Sequence, residues 1–382
     1  PDKETALLCH LMLARTRALN VVLELKRHRI QGPVLTGLGA EAISIGIGMA
    51  LSRYGILQES LLHGNQRTQY GFGVIKNMAL QNGDDHDHGY EILKNHALVA
   101  TAASQGENGN IHWGCLNHAI LPFANSDMGR MIPVLVGMAE EMRRVRWPQI
   151  KDARKRPVAI GDFGEGALNQ GCVAEAMNWV AASNCRLTDD EMRVHEKALD
   201  SIGNELHVLR GAPIIFVVNS NQASIYTDAR EEHGRSDIAA RAHGYGDMRG
   251  RTVRAWDVFD VIENVGEAIF DAQQLRSTLF NMETYRLTGH NVDMITRDKK
   301  NPRFNEGEIR GIPLGDFKRA WELFDPLQNC RASLVAWGYA TVQDLEMFEK
   351  KEIERMDELF ERAFTQEPEA TLEHRRIKTR MV

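Results

Sequence analysis

Two stretches of the chain decide its fold: Val158-Ala-Ile-Gly-Asp-Phe-Gly-Glu-Gly-Ala-Leu-Asn-Gln-Gly171 and Pro213-Ile-Ile-Phe-Val-Val-Asn-Ser-Asn-Gln222. Each begins with a short apolar run that predicts a buried β-strand, and each then turns small and polar. The first carries the carboxylates of Asp162 and Glu165 among glycines, and the second has the carboxamides of Asn219 and Asn221 after its apolar run. Because α/β sheets bind ligands at the carboxyl ends of their strands, these side chains are candidate ligand contacts.

The residue types at these strand ends suit a magnesium ion that carries a diphosphate. Mg²⁺ prefers carboxylate and amide oxygens, and glycines let backbone N–H groups approach a phosphate closely. Glu165 is the preferred carboxylate and Asp162 is its rival, while a purely structural role in the turn is the alternative for Glu165 and Asn221. A nicotinamide site is disfavoured, because Gly164-x-Gly166 lacks the third glycine of that fingerprint.

The order of predicted elements gives the fold class. Apolar runs predict strands at residues 158–160, 214–218, 252–255 and 278–283, and the helical patterns between them fall at 168–182, 236–243 and 258–273. This alternation predicts an α/β fold with a doubly wound parallel sheet. Further helices are expected at 6–29, 40–52 and 341–365, and the region 61–125 is expected to be rich in loops.

We expect one α/β domain over residues 1–382. It would carry a helical arm at 1–52, an inserted amphipathic helix at about 185–210, and a helical extension at about 314–382.

Composition excludes several classes of protein. The chain is 43% apolar and 26% charged with a formal net charge of −6, which argues against nucleic-acid binding. Its five cysteines form no CxxC pair, which is typical of a reducing compartment. No uninterrupted apolar run reaches the length of a membrane span, so no membrane contact is expected. We expect a bacterial cytoplasm, or the mitochondrial matrix if a transit peptide has been removed before Pro1.

The polar stretch Asp84-Asp-His-Asp-His88 has the residue types of a metal site. No ligands at a matching distance along the chain stand out, so a solvated turn is the predicted structure.

Several motifs in a fixed order resemble the alpha subunit of the thiamine diphosphate-dependent component of 2-oxo acid dehydrogenases, the pyruvate, branched-chain 2-oxo acid and acetoin dehydrogenase family. They are Gln66-Arg-Thr-Gln-Tyr-Gly71, Phe163-Gly-Glu-Gly-Ala-Leu-Asn-Gln-Gly171, Asn219-Ser-Asn221, Ile238-Ala-Ala-Arg-Ala-His-Gly-Tyr-Gly246 and Thr284-Tyr-Arg-Leu-Thr-Gly-His290. The resemblance extends over roughly residues 7–373. It implies the thiamine diphosphate-binding fold.

The resemblance also implies the roles of individual residues. Glu165, the side chain of Asn221 and the backbone carbonyl of Ala223 would ligate Mg²⁺. The residues implied to bind thiamine diphosphate are Arg67, Gln66, Ser126, Met128, Gly164, Gly166, Ala167, Arg286 and His290. His290 and His112 are the implied catalytic residues, and a packed histidine is the alternative for His112.

The implied activity is oxidative decarboxylation of a 2-oxo acid, with acyl transfer to a lipoyl-bearing acyltransferase. The chain would be the alpha subunit of an α2β2 heterotetramer, and the beta subunit would supply the glutamate that activates the cofactor. Several positions depart from the family pattern, among them Gln66 in place of tyrosine, Glu107 in place of lysine and Glu165 in place of aspartate. Two alternatives therefore stay open, namely an acetoin dehydrogenase or other thiamine diphosphate-dependent carbon–carbon lyase or ligase, and a non-catalytic paralogue that scaffolds a partner.

Overall fold

A computed structural model gives the fold of most of the chain. It describes residues 1–30, 34–65, 67–78, 87–97, 114–121, 129–184, 211–224, 227–234, 237–288, 308–309, 312–313 and 316–366. The inserted helix expected at about 185–210 lies outside these residues.

The elements are numbered in chain order. The strands are β1 (Leu61–His63), β2 (Ile120–Leu121), β3 (Ala159–Gly164), β4 (Ile214–Ser220), β5 (Ala223–Ser224), β6 (Thr227–Asp228), β7 (Arg249–Arg254), β8 (Thr278–Glu283), β9 (Glu308–Ile309) and β10 (Ile312–Pro313). The helices are α1 (Lys3–Leu25), α2 (Glu41–Tyr54), α3 (Gln69–Met78), α4 (His88–His96), α5 (Met131–Arg146), α6 (Gly171–Asn184), α7 (Ala229–Glu232), α8 (Val258–Gln273), α9 (Phe317–Phe324), α10 (Pro326–Ala336) and α11 (Val342–Thr365).

The central sheet is parallel throughout and has the strand order β2-β1-β3-β4-β8-β7. The predicted fold class is therefore confirmed. Strand β8 and helix α8 have the predicted bounds, while β3 and β4 continue two or more residues past the predicted ends. The loops that follow β1, β3, β4 and β8 leave the same edge of the sheet side by side, because these four strands are neighbours.

Helices cover both faces of the sheet, and β4 shows how the sequence achieves this. Ile215 and Val217 belong to a core with residues of α1, α2 and α8, whereas Phe216 and Val218 belong to a second core with residues of α5 and α6. Successive side chains of a strand point to opposite faces, so the continuous apolar run of β4 supplies both cores.

The expectation of a loop-rich region at 61–125 was wrong for the residues of that region that the structure describes. The described part of that region contains β1, α3, α4 and β2. Helix α4 is polar, yet Lys94, Asn95 and His96 are buried in it. Packing against α11, rather than an apolar pattern, explains this helix. The helix expected at 236–243 is a 3₁₀ helix, Ala239–Gly244.

Helix α1 is long and apolar enough to cross a membrane, although polar residues interrupt its apolar runs. In the structure, 72% of its most apolar window is buried inside the protein. It packs against α2, α10 and α11, so we assign it as a core helix.

Candidate active site

The predicted metal ligands meet at the carboxyl ends of neighbouring strands. Gly164 of β3 pairs with Asn219 of β4. Beyond this pair, Oε2 of Glu165 accepts the backbone N–H of Asn221 at 2.8 Å. Glu165 is 1% exposed, so this hydrogen bond joins the two strand ends inside the protein.

Arg286, which follows β8, contacts the other two predicted ligands. One guanidinium nitrogen of Arg286 donates to Oδ1 of Asn221 at 3.1 Å and to the carbonyl oxygen of Ala223 at 2.7 Å. Both oxygens therefore face one positive charge, next to the Glu165 carboxylate. A carboxylate, an amide oxygen and a backbone carbonyl form a hard oxygen donor set, which fits Mg²⁺.

A second cation, Arg67, lies beside this cluster in the loop after β1. Its guanidinium donates to the carbonyl oxygen of Thr36 at 2.8 Å. Burial, and after it the positive charge of Arg286, lower the pKa of Arg67 to about 9, against the opposing charges of Glu165 and Glu24. Two half-buried cations that repel each other favour an anion that pairs with both. The arrangement therefore fits a phosphate group.

Close approach of two loops explains the glycine at position 166. The 3₁₀ helix Glu165–Asn169 follows β3 directly and contains Gly166 and Ala167. A Cβ on Gly166 would lie 2.4 Å from Oγ of Ser224, which itself donates to Oε2 of Glu232 at 2.5 Å. A Cβ on Gly164, in contrast, would meet no protein atom within 4 Å. The glycine at position 166 therefore leaves room for the side chain of Ser224 in β5, whereas Gly164 borders open space.

Asp162, the rival carboxylate, is held by the loop after β1. It is fully buried and accepts hydrogen bonds from the hydroxyl of Thr68 and, at 3.1 Å, from Nδ2 of Asn65. These contacts connect β3 to the start of α3 and give Asp162 a structural role. Glu165 is consequently the better-placed candidate for a metal ligand.

Asp162 also predicts a pH dependence of stability. Burial raises its pKa from 3.8 to about 7, despite hydrogen bonds that act in the opposite direction. Because the folded-state pKa is raised, its stabilising contribution is complete below pH 3.8 and is lost as the pH rises to 7 and above. The expected loss is about 4 kcal/mol. Urea unfolding from pH 4 to 8 measures it, and Asp162→Asn should remove this component. An equal pH dependence in both proteins would contradict the assignment.

The later motif at 238–246 is also brought to the site. Arg241 donates to Oδ1 of Asn169 and contacts Nδ1 of His233, each at 3.0 Å. Asn169 in turn donates to the carbonyl oxygen of Glu232 at 3.2 Å. These contacts connect the motif at 238–246 to the end of the 3₁₀ helix that begins at Glu165.

Sequence reasoning missed the residues that hold Asp162, namely Asn65 and Thr68, and those beside Arg67, namely Thr36 and Glu24. Five residues with predicted roles lie outside the described residues: Gln66, His112, Ser126, Met128 and His290. Their roles stay predictions.

Comparisons with known proteins agree with the motifs. Residues 203–373 match the family model described as "Dehydrogenase E1 component". The mitochondrial 2-oxoisovalerate dehydrogenase subunit alpha of Homo sapiens is 26% identical over 261 residues, which cover 68% of this chain and 47% of the relative. The pyruvate dehydrogenase E1 component subunit alpha of Zymomonas mobilis is 23% identical over 221 residues, 58% of this chain and 52% of the relative.

A shorter match is the 2-oxoisovalerate dehydrogenase subunit alpha of Bacillus subtilis, 28% identical over 183 residues, which cover 48% of this chain and 44% of the relative. The chain spans about half the length of the curated relatives it matches. These matches confirm the resemblance that the motifs predicted.

Proposed function

We propose that this chain, which is related to the alpha subunits of 2-oxo acid dehydrogenases, binds Mg²⁺ and thiamine diphosphate at the carboxyl edge of its sheet. One observation carries the proposal. A single guanidinium nitrogen of Arg286 contacts Oδ1 of Asn221 and the carbonyl oxygen of Ala223, beside the carboxylate of Glu165. These are three oxygen ligands that suit Mg²⁺, grouped around a position where a positive charge is already favourable.

The neighbouring residues divide the binding of the cofactor. Glu165, Asn221 and Ala223 would hold Mg²⁺, and Arg67 would pair with the diphosphate. Arg286 would exchange its two oxygen contacts for phosphate oxygens once Mg²⁺ takes those oxygens as ligands. The backbone N–H groups of Gly166 and Ala167, at the start of the 3₁₀ helix, would face the diphosphate.

The overall reaction would be oxidative decarboxylation of a 2-oxo acid. When bound, thiamine diphosphate would supply the chemistry that stabilises the negative charge left on the substrate carbon after CO₂ departs. This chain would anchor the diphosphate end, and a beta-type partner in an α2β2 assembly would supply the remaining half of the site. His290 and His112 would move protons during transfer of the acyl group to a lipoyl-bearing acyltransferase.

Arg67 predicts how the binding of the diphosphate depends on pH. Only the protonated guanidinium attracts the anion, and the pKa of Arg67 before binding is about 9. The affinity for thiamine diphosphate should be constant near pH 7.5 and fall about tenfold per pH unit above pH 9. Calorimetry at a series of pH values measures this. Arg67→Met should bind more weakly and lose the dependence, and an unchanged slope in that variant would contradict the role of Arg67.

The proposed function is tested on the chain purified together with its beta-type partner. Titration with thiamine diphosphate should give saturable, micromolar binding that requires Mg²⁺. Turnover of pyruvate, branched-chain 2-oxo acids and acetoin with an artificial electron acceptor would then identify the substrate class, including the acetoin dehydrogenase alternative. Absence of binding with Mg²⁺ present would contradict the proposal and favour the non-catalytic scaffold.

A further inference from the structure

A histidine–cysteine cluster lies apart from the candidate active site. Nε2 of His88 is 2.8 Å from Nδ1 of His118, and Sγ of Cys115 is 3.2 Å from the same Nδ1. The three potential ligand atoms all lie within 4.8 Å of one another. His88 is fully buried, so the solvated turn predicted for its sequence stretch was wrong at this residue. The signal that sequence reasoning missed is the Cys-x-x-His spacing of residues 115–118.

A tight turn fixes two of the three side chains. The backbones of Cys115 and Ile120 exchange both of their hydrogen bonds, at 2.9 and 3.0 Å, and a 3₁₀ helix, Leu116–His118, lies between them. With three residues per turn, a 3₁₀ helix brings side chains three positions apart onto one side. The turn therefore presents Cys115 and His118 together before β2 begins.

Asn77 sets the orientation of the third side chain. Its Oδ1 accepts the backbone N–H of His88 at 3.3 Å and also contacts the ring Nδ1 of His88. The backbone contact identifies this Asn77 atom as an acceptor, so Nδ1 of His88 carries the proton. The lone pair on Nε2 then faces His118 and Cys115. Metal-binding histidines are commonly oriented by such a second hydrogen bond.

We propose that His88, Cys115 and His118 bind a zinc ion. Two imidazoles and a thiolate are borderline-soft ligands that suit Zn²⁺ and exclude Mg²⁺. Tetrahedral zinc ligands are separated by about 3.4–3.6 Å, so the two short distances, 2.8 and 3.2 Å, need an expansion of about 0.5 Å or less, and the third lies within 4.8 Å. The fourth position would hold water. The ion would connect the start of α4 to the turn that precedes the edge strand β2.

This site is independent of the proposed magnesium site. Its ligands precede β2 or begin α4, whereas Glu165 and Asn221 follow β3 and β4. A test of zinc binding therefore succeeds or fails regardless of whether thiamine diphosphate binds.

Titration of metal-free protein with Co²⁺ tests the proposal, because cobalt reports thiolate coordination spectroscopically. We expect one equivalent to bind, with a sulfur-to-cobalt charge-transfer band and tetrahedral visible bands, and Zn²⁺ should displace it. Cys115→Ser should lose the charge-transfer band. Cys172→Ser, the matched control at another half-buried free thiol in α6, should keep it.

Two further variants sharpen the test. His118→Ala should abolish tight binding, and Asn77→Ala should weaken it by about 10–100-fold, the usual effect of removing an orienting partner. Circular dichroism checks that each variant is folded. The proposal is overturned if folded wild-type protein shows no thiolate band with Co²⁺, or if the band persists in Cys115→Ser.

Discussion

Replacing Asn221 with alanine should lower the affinity for thiamine diphosphate in the presence of Mg²⁺ by about 100-fold or more. The side-chain oxygen of Asn221 is one of the two oxygens that contact Arg286, and it would be a direct metal ligand. A 100-fold loss corresponds to about 2.8 kcal/mol, which is reasonable for one ligand to a divalent ion. The fold should survive, because the hydrogen bond to Glu165 comes from the backbone N–H of residue 221.

Calorimetry on the assembled protein measures the effect of Asn221→Ala. Asn264→Ala is the matched control, because the Asn264 carboxamide hydrogen-bonds only within α8 as far as the described contacts show. The control should bind as the wild type does. Equal affinities of Asn221→Ala and the wild type would remove Asn221 from the site.

We expect a loss of similar size for Glu165→Gln. Glutamine has the same shape and can still accept the N–H of Asn221, so the change removes the charge and keeps the hydrogen bond. The metal would lose its only proposed carboxylate. Arg67 would also lose a neighbouring negative charge that raises its pKa, which weakens the phosphate contact as well.

Glu232→Gln provides the comparison for Glu165→Gln. Glu232 is a neighbouring carboxylate that accepts a hydrogen bond from Ser224 and is not a proposed ligand. The dependence of binding on Mg²⁺ should be lost in Glu165→Gln and retained in Glu232→Gln. The reverse result would assign the metal to Glu232 and refute the role of Glu165.

The central part of the fold was predictable because local patterns and burial agree there. Strand β4 is apolar from Ile214 to Val218. Asp257 caps the N-terminus of α8, because its side chain accepts the N–H of Phe259. The region between α2 and β2 was not predictable in this way. Helix α3 contains glycines, and β2 has only two residues, so both depend on contacts that are distant in sequence.

The candidate site was also predictable only in part. The resemblance named Glu165, Asn221, Ala223, Arg67 and Arg286, and the structure places these residues together. The contacts that hold the strands and loops around them could not be predicted, because the partners come from distant parts of the chain. Thr68 and Asp162, for example, are 94 residues apart. No local pattern specifies such a contact, which forms only when β1 and β3 pair.

The most direct measurement is a crystal structure of the assembled protein with thiamine diphosphate and Mn²⁺, located by anomalous scattering. The ion should lie at about the magnesium coordination distance of 2.1 Å from a carboxylate oxygen of Glu165, Oδ1 of Asn221 and the carbonyl oxygen of Ala223. Arg286 should have left those oxygens for the diphosphate. A cofactor bound elsewhere, or Arg286 still bridging Asn221 and Ala223 with the cofactor present, would contradict the proposed site.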